Sequence, residues 1–295
     1  MKPAPFKFVQ PADEDAVVAA LAEYGDDACL LAGGQSLVPM MNFRIVSPAV
    51  LIDLNVLPTL DFVRSDGDIL QIGALTRHAA VEDSATIAST CPLLRDAARH
   101  VAHRTVRHRG TLGGTLALAY PGAEMPLALV ALGAEVELRS TGGARTTPVA
   151  DFIQGGLDTT RKDDEYIRSV RVHVPPVSSR SSFVEVSRRH GDFAIAAAAV
   201  VLDIAPDGRI SFIRAAIAGG TGAPRRLAGL ESALLGGRAL GSAQETSAIR
   251  EAVESIEIDG DPHYPEAYRR HLLNTVLRRA FANASHQKEL SDASN

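Results

Sequence analysis

Residues 13–24 place Val17, Val18 and Leu21 at helical spacing, with Asp13 positioned as an N-cap and Gly25 just past the end, and the spacing predicts a helix. A short apolar strand, Ala28-Cys29-Leu30-Leu31, follows and runs straight into a glycine turn, Ala32-Gly33-Gly34-Gln35-Ser36. Residues 50–54 read as another strand, and 61–63 with Ile69–Gly73 as a hairpin around Ser65-Asp66-Gly67-Asp68. The period then changes. Thr76 is a candidate cap for a helix over His78–Asp83, and 93–101 carries Leu94, Ala97, Ala98 and Val101 at helical positions. These two helices lead into a second glycine turn, Gly110-Thr111-Leu112-Gly113-Gly114-Thr115.

A run of small residues over 116–120 is closed by Pro121-Gly122, after which a helix is predicted over 127–132 and a strand over 134–139, turned back by Thr141-Gly142-Gly143. Residues 57–176 can thus form one α+β unit behind a first unit of residues 1–56. Pro175-Pro176 and the serine-rich stretch 178–182 read as a linker. Strands over 183–187, Ala194–Ile204 and 210–217, with a turn at Gly219-Gly220, then predict an antiparallel sheet. Helices over 227–235, 243–255 and 268–281 follow. The last puts Leu272, Leu273, Val276, Leu277 and Phe281 on one face, to pack on the sheet, and Arg269, Arg270, Arg278 and Arg279 off it. A third unit of sheet and helices therefore covers 177–285, and 286–295 is expected to be a disordered tail.

Composition narrows the function. At 295 residues the chain exceeds one ordinary core, in agreement with several units. No run approaches the roughly 18 apolar residues needed to span a bilayer, and the N-terminus lacks the apolar stretch of a signal peptide, so the expectation is a cytoplasmic protein with no membrane span. A net charge of −5 disfavours a nucleic-acid partner. Cys29 and Cys91 are too few for an iron–sulfur cluster, which usually takes four thiolates, and both read as buried thiols.

Paired glycines after a strand let backbone N–H groups close on an anion, because no Cβ blocks the approach. Both turns fit this design, with hydroxyls from Ser36, Thr111 and Thr115 to add hydrogen bonds, and together they suit a diphosphate. Gly114 in particular is expected where backbone approaches the diphosphate or needs a positive φ. Neither turn is G-x-G-x-x-G or G-x-x-x-x-G-K-[ST], which disfavours a nicotinamide dehydrogenase and a P-loop protein. The basic stretch 99–109, with His100, His103, Arg104, Arg107 and His108, has two readings: electrostatic support for a bound diphosphate, or a solvated helix face and loop. Its histidines lack nearby carboxylate or thiolate partners for a metal, and there is no G-x-S-x-G nucleophile turn. No catalytic residues are assigned.

Four motifs occur in a familiar order: Ala32-Gly33-Gly34-Gln35-Ser36-Leu37; Arg107-His108-Arg109 leading into Gly110 to Thr115; Pro121-Gly122-Ala123-Glu124-Met125-Pro126; and Arg188-Arg189-His190-Gly191-Asp192-Phe193-Ala194. Together they resemble the FAD-binding medium subunit of molybdenum hydroxylases of the carbon monoxide dehydrogenase and xanthine dehydrogenase type, over residues 1 to about 283. The resemblance implies an α+β fold of the vanillyl-alcohol-oxidase (PCMH) type, in which two subdomains enclose FAD and a C-terminal antiparallel sheet with helices follows. It also implies a heterotrimer that dimerises. A large subunit carries molybdopterin and oxidises the substrate, a small subunit carries two [2Fe–2S] clusters, and this subunit passes electrons through non-covalent FAD to an external acceptor.

By the same resemblance, residues 32–36 and 111–115 hold the pyrophosphate and ribityl chain, with Leu37, Val106 and Gly110 also at the cofactor. Glu124 matches an acidic position that meets a ribose hydroxyl, Ala102 and Ile167 match positions near the rings, and Phe193 matches an aromatic beside the isoalloxazine. The chain departs from the pattern at Thr115, commonly Asn, at Tyr120, commonly a polar residue, and at Glu185, where many relatives have Lys. With no Trp, five Tyr and nine Phe, aromatic partners for the flavin are few. Gln35 with Arg188-Arg189-His190 leans toward the branch acting on N-heterocycles and purine alkaloids. Two other readings compete: a stand-alone flavin oxidase, which needs an acid–base residue over the flavin, and a cofactor-free assembly protein, which the intact Gly33, Gly34, Gly113 and Gly114 argue against.

Overall fold

The computed structural model describes residues 2–237 and 243–292, with 286–292 described as backbone. The first unit is a small parallel sheet in which β1 (Lys7–Val9) and β2 (Ala28–Leu31) flank β3 (Val50–Asp53). Successive parallel strands need a crossover; α1 (Glu14–Tyr24) carries the chain from β1 across to β2 on the far side of β3, its N-cap Asp13 accepting the Ala16 N–H at 2.8 Å. Every residue of β3 is buried. Val17, Leu21 and Ile52 share their core with Leu60, Leu75 and Tyr166 from beyond residue 56, so the first unit closes against the second. α2 (Leu37–Asn42) begins directly after the first glycine turn.

The second unit is an antiparallel sheet in the order β4 (Val63–Asp66), β5 (Ile69–Gly73), β10 (Tyr166–His173), β6 (Glu135–Ser140), β7 (Gly143–Pro148). Between β5 and β6 run α3 (His78–Asp83), α4 (Ala85–Thr90), α5 (Pro92–His100), α6 (Arg104–Arg107), α7 (Leu112–Leu118) and α8 (Glu124–Leu132). All residues of α8 are buried, as the apolar sequence after Glu124 requires of a helix surrounded by protein. After β7 come α9 (Val149–Phe152) and the ribbon of β8 (Ile153–Gly155) and β9 (Asp158–Thr159).

In the third unit β11 (Arg180–Ser187), β12 (Ala194–Ile204), β13 (Ile210–Ala218) and β14 (Arg225–Arg226) pair antiparallel in sequence order, followed by α10 (Ala228–Leu234), α11 (Ala243–Glu254) and α12 (Glu266–Asp292). β12 is buried on both faces: Ala197, Ala199 and Val201 join the core of the second unit, while Ala196, Ala198, Val200 and Leu202 meet Leu273, Val276, Leu277 and Phe281 of α12. That explains why its sequence is continuously apolar rather than alternating.

Several expectations change. Thr76 does not cap α3; its hydroxyl donates to the Phe62 carbonyl at 3.0 Å. The hairpin pairs Val63–Asp66, not 61–63, with β5, because the turn sits at its tip. Ser181 and Ser182, read as linker, are buried within β11, whose backbone pairs with β12. The short α4 and α6 and the central β10 are not among the predicted elements. α12 continues past residue 286, where a disordered tail was expected, since no Pro or Gly interrupts 286–292; residues 293–295 lie outside the described residues.

Candidate functional site

Both predicted glycine turns line one cavity of about 290 Å³ between the first and second units. β2 delivers residues 32–37 to the carboxyl edge of its parallel sheet, where open parallel sheets place their ligand sites. Gly110, Thr111, Gly113, Gly114, Thr115 and Ile167 line the same cavity from the second unit. Ala102, Val106, Glu124 and Phe193 do not line it.

The two turns are not equivalent. Among the described residues, none of the backbone N–H groups of residues 33–37 donates a hydrogen bond within the protein, and Gly34 holds a left-handed φ of 70°. Such a run of unspent donors forms an anion nest. In the second turn five of the six donors are already used, all but that of Thr111: Gly110 to Val106 O (2.7 Å), Leu112 to Thr76 O (3.0 Å), Gly113 to Ala74 O (2.8 Å), Thr115 to Thr111 O (3.1 Å) and Gly114 to Thr111 Oγ1 (3.1 Å). The expectation of two like turns is corrected accordingly. Gly113 and Gly114 sit inside the first turn of α7, where Thr111 is the N-cap and Gly114 has no positive φ.

The glycines instead allow chain to pack on chain. A Cβ on Gly33 would overlap the Arg109 carbonyl oxygen and come within 2.9 Å of the Gly110 Cα. One on Gly113 would stand 2.6 Å from the Ala74 Cβ, and one on Gly114 would stand 2.8 Å from Thr111 Oγ1.

Two residues the sequence did not single out join the turns. Asn55 Nδ2 donates to the Ala32 carbonyl at 2.9 Å, Arg77 Nη2 donates to Asn55 Oδ1 at 2.7 Å, and Arg77 Nη1 donates to the Arg109 carbonyl at 2.6 Å. Behind them lies His78, whose Nε2 is 2.9 Å from Thr115 Oγ1 and whose backbone N–H donates to Gly110 O at 3.0 Å. Burial, then the charges of Arg107 and Arg77, pull its pKa down to about 4, so the ring is neutral near pH 7. Its Nδ1 is buried without a partner.

The basic stretch divides. Buried Arg107 donates through Nε to Glu82 (2.9 Å) and through Nη1 to the carbonyls of Val101 (3.0 Å) and Ala102 (2.9 Å). It thereby holds Ala102 in a left-handed conformation (φ 41°) against Gly191, where a Cβ would stand 3.2 Å from the Ala102 Cα. Arg104 pairs with Glu82 and Asp83. Both arginines brace the loop through α3 carboxylates. Val106 acts through its carbonyl, which accepts from Gly110.

Glu185 lies with Oε1 3.2 Å from His100 Nδ1, and this bond raises the pKa of the imidazole. Its Oε2 is buried and unpartnered. The carboxyl of Glu124, buried at the start of α8, is pushed up to about 8, chiefly by burial, and is therefore mostly protonated at neutral pH. Phe193 lines a second cavity of about 800 Å³ and stacks on Tyr120, ring centroids 4.0 Å apart. Leu118 borders the first cavity and Tyr120 the second, so the end of α7 separates them.

Among the described residues no helix is long and apolar enough to cross a membrane. Residues 4–176 match the family of the FAD binding domain in molybdopterin dehydrogenase, and 181–284 that of the CO dehydrogenase flavoprotein C-terminal domain. The chain is 37% identical over 286 residues to caffeine dehydrogenase subunit beta of Pseudomonas sp. (strain CBB1), covering 97% of this chain and 96% of that one. It is also 37% identical to the 6-hydroxypseudooxynicotine dehydrogenase complex subunit alpha of Paenarthrobacter nicotinovorans, covering 97% of each. Among solved structures, a chain of quinoline 2-oxidoreductase from Pseudomonas putida 86 superposes with a TM-score of 0.91 at 33% identity, covering 97% of this chain and 99% of that one. A chain of carbon monoxide dehydrogenase from Hydrogenophaga pseudoflava gives 0.91 at 33%, covering 96% and 98%. With both domains matched in order and the relatives covered end to end, the chain belongs to the FAD-binding medium subunits of carbon monoxide dehydrogenase-type molybdenum hydroxylases and is a subunit of an oxidoreductase.

Proposed function

We propose that the chain is the electron-transfer subunit of a cytoplasmic molybdenum hydroxylase assembled as a dimer of heterotrimers. A large partner subunit carries molybdopterin and oxidises the organic substrate, a small one carries [2Fe–2S] clusters, and this chain holds FAD non-covalently on the route to an external acceptor. When bound, FAD supplies the redox chemistry. The observation that carries the reading is the run of unspent N–H donors over residues 33–37, open to a cavity between two units. These donors and the Ser36 hydroxyl suit the diphosphate, with Thr111 and Thr115 facing them. Phe193 and Tyr120, on the wall of the larger cavity, suit the flavin ring.

Relatives named for caffeine, nicotine and quinoline favour an N-heterocyclic substrate for the complex, beside others, no more identical, named for carbon monoxide and glyceraldehyde. The decisive measurement is the visible spectrum of the purified chain, before and after heat or acid, together with metal analysis. A flavin spectrum released into the supernatant, with no stoichiometric iron or molybdenum and no oxidation of the organic substrate by the chain alone, is the expected result. Substrate oxidation by the isolated chain would establish a stand-alone oxidase instead, and a chain that takes up no flavin would establish the cofactor-free reading.

A further inference from the structure

Of the residues lining the 290 Å³ cavity, Arg161 alone carries a formal charge. The loop between β9 and β10 holds it in place. Arg161 Nη1 donates to the carbonyls of Lys162 (2.8 Å) and Glu165 (2.9 Å), and its backbone N–H donates to Thr159 Oγ1 at 3.3 Å. The loop is itself locked, because the buried Glu165 carboxylate takes two bonds from Arg145, at 2.6 and 2.7 Å, and one from the Lys162 N–H at 2.8 Å. Glu165 is thereby engaged elsewhere. Among the described residues Arg161 makes no ion pair, and its charge is held at the cavity wall by carbonyls alone.

Its place in the cavity is also defined. The charge of Arg161 reaches Cys29, in the middle of β2, whereas the anion nest begins only after the end of that strand. Elsewhere the cavity wall includes the apolar side chains of Leu21, Leu30, Leu54 and Met40. A largely apolar wall carrying one planar cation suits a flat aromatic ring, since guanidinium stacks on π-faces and accepts no hydrogen bonds itself. A dinucleotide whose diphosphate sits in the nest has two rings to place. The larger cavity beyond α7, of about 800 Å³ and with Phe193 and Tyr120 on its wall, takes the tricyclic one.

We infer that Arg161 is a specificity-determining residue for the adenylyl half of the cofactor, stacking its guanidinium on the adenine and making the cavity select FAD over FMN. This inference rests on the reading of the cavity as a FAD site. Arg161 positions the ring and takes no part in the redox step.

The test is titration of the full-length, flavin-depleted chain with FAD, FMN and ADP, followed by flavin fluorescence and by ADP competition. Arg161→Ala should weaken FAD and ADP about tenfold, the size of a partly desolvated cation–π contact, and leave FMN unchanged. Arg161→Gln, which keeps an N–H donor for the two loop carbonyls but loses charge and plane, guards against a folding effect and should weaken FAD and ADP in the same way. If both variants bind FAD and ADP as the parent does, or lose FMN in parallel, Arg161 is only a loop fastener and the inference is overturned while the FAD reading stands. If the parent chain binds neither FAD nor ADP, both fall together.

Discussion

The Arg77 guanidinium donates to the Arg109 carbonyl at 2.6 Å, and this bond fastens the entry of the second glycine turn to the first unit, because the other arm of Arg77 holds Asn55 and Asn55 holds the Ala32 carbonyl. A chain of three side-chain bonds thus reinforces the direct packing of Gly33 on Arg109 in setting the spacing of the two turns.

Removing either link should therefore loosen the cofactor before it loosens the fold. Arg77→Ala and Asn55→Ala are each expected to weaken FAD binding by about one decade, the scale of a charge-assisted hydrogen bond of roughly 1.5 kcal/mol. The double variant should cost less than the sum, since both act on one tie. Fluorescence titration of all three checks this; additive losses would show two independent contributions.

The glycines should differ in severity. Gly33→Ala drives a Cβ into the Arg109 carbonyl and has no way to yield except by separating the turns, so loss of FAD binding and a drop in melting temperature are expected together. At Gly114 a Cβ crowds the Thr111 hydroxyl and is in ordinary contact with the Ala32 Cβ at 3.8 Å, so Gly114→Ala should cost about 1 kcal/mol, the worth of a helix N-cap, with FAD binding kept. Equal effects at the two positions would refute the division of labour between the turns.

His78 makes stability depend on pH. Its folded pKa, about 4, lies below the ordinary histidine value, so between these limits the unfolded chain binds a proton that the folded chain does not. Stability contributed by the neutral ring is complete above about pH 6.5 and falls as pH drops toward 4, by roughly 1.4 kcal/mol per unit. Urea unfolding at a series of pH values should show this slope, and His78→Gln, which can still bond Thr115, should flatten it.

Glu14 fastens the first unit to the second. Its Oε2 accepts from Tyr166 Oη at 2.7 Å, Arg168 Nε at 2.9 Å and Arg139 Nη1 at 3.2 Å. Burial pushes its pKa up, but the bonds from Tyr166, Thr59 and Arg168 outweigh this and leave it lowered. A lowered carboxyl stabilises above its unfolded pKa and loses that contribution as pH falls through the folded value. Glu14→Gln should cost about 1–3 kcal/mol at pH 7, with a shrinking difference from the parent in acid. A difference constant from pH 7 to 3 would place the effect outside the ionised carboxylate.

Much of this protein was legible along the chain because the signals are local. The period of residues 13–24, the strand feeding Ala32-Gly33-Gly34, and the apolar face of the last helix follow from backbone geometry and solvent exposure, which act within a few residues. The ordered motifs also carried the family. What sequence could not decide was how donors and acceptors are spent. The turns at residues 33 and 113 look alike as text, yet one keeps its N–H groups free and the other gives them to Ala74, Thr76, Val106 and Thr111. Arg107 and Arg104 look like a basic patch until α3 brings Glu82 to them. Nothing near Asn55, Arg77 or Arg161 in the chain marks them. Their roles come from partners 22 positions away or from a cavity wall built by two units, and only the folded chain brings those together.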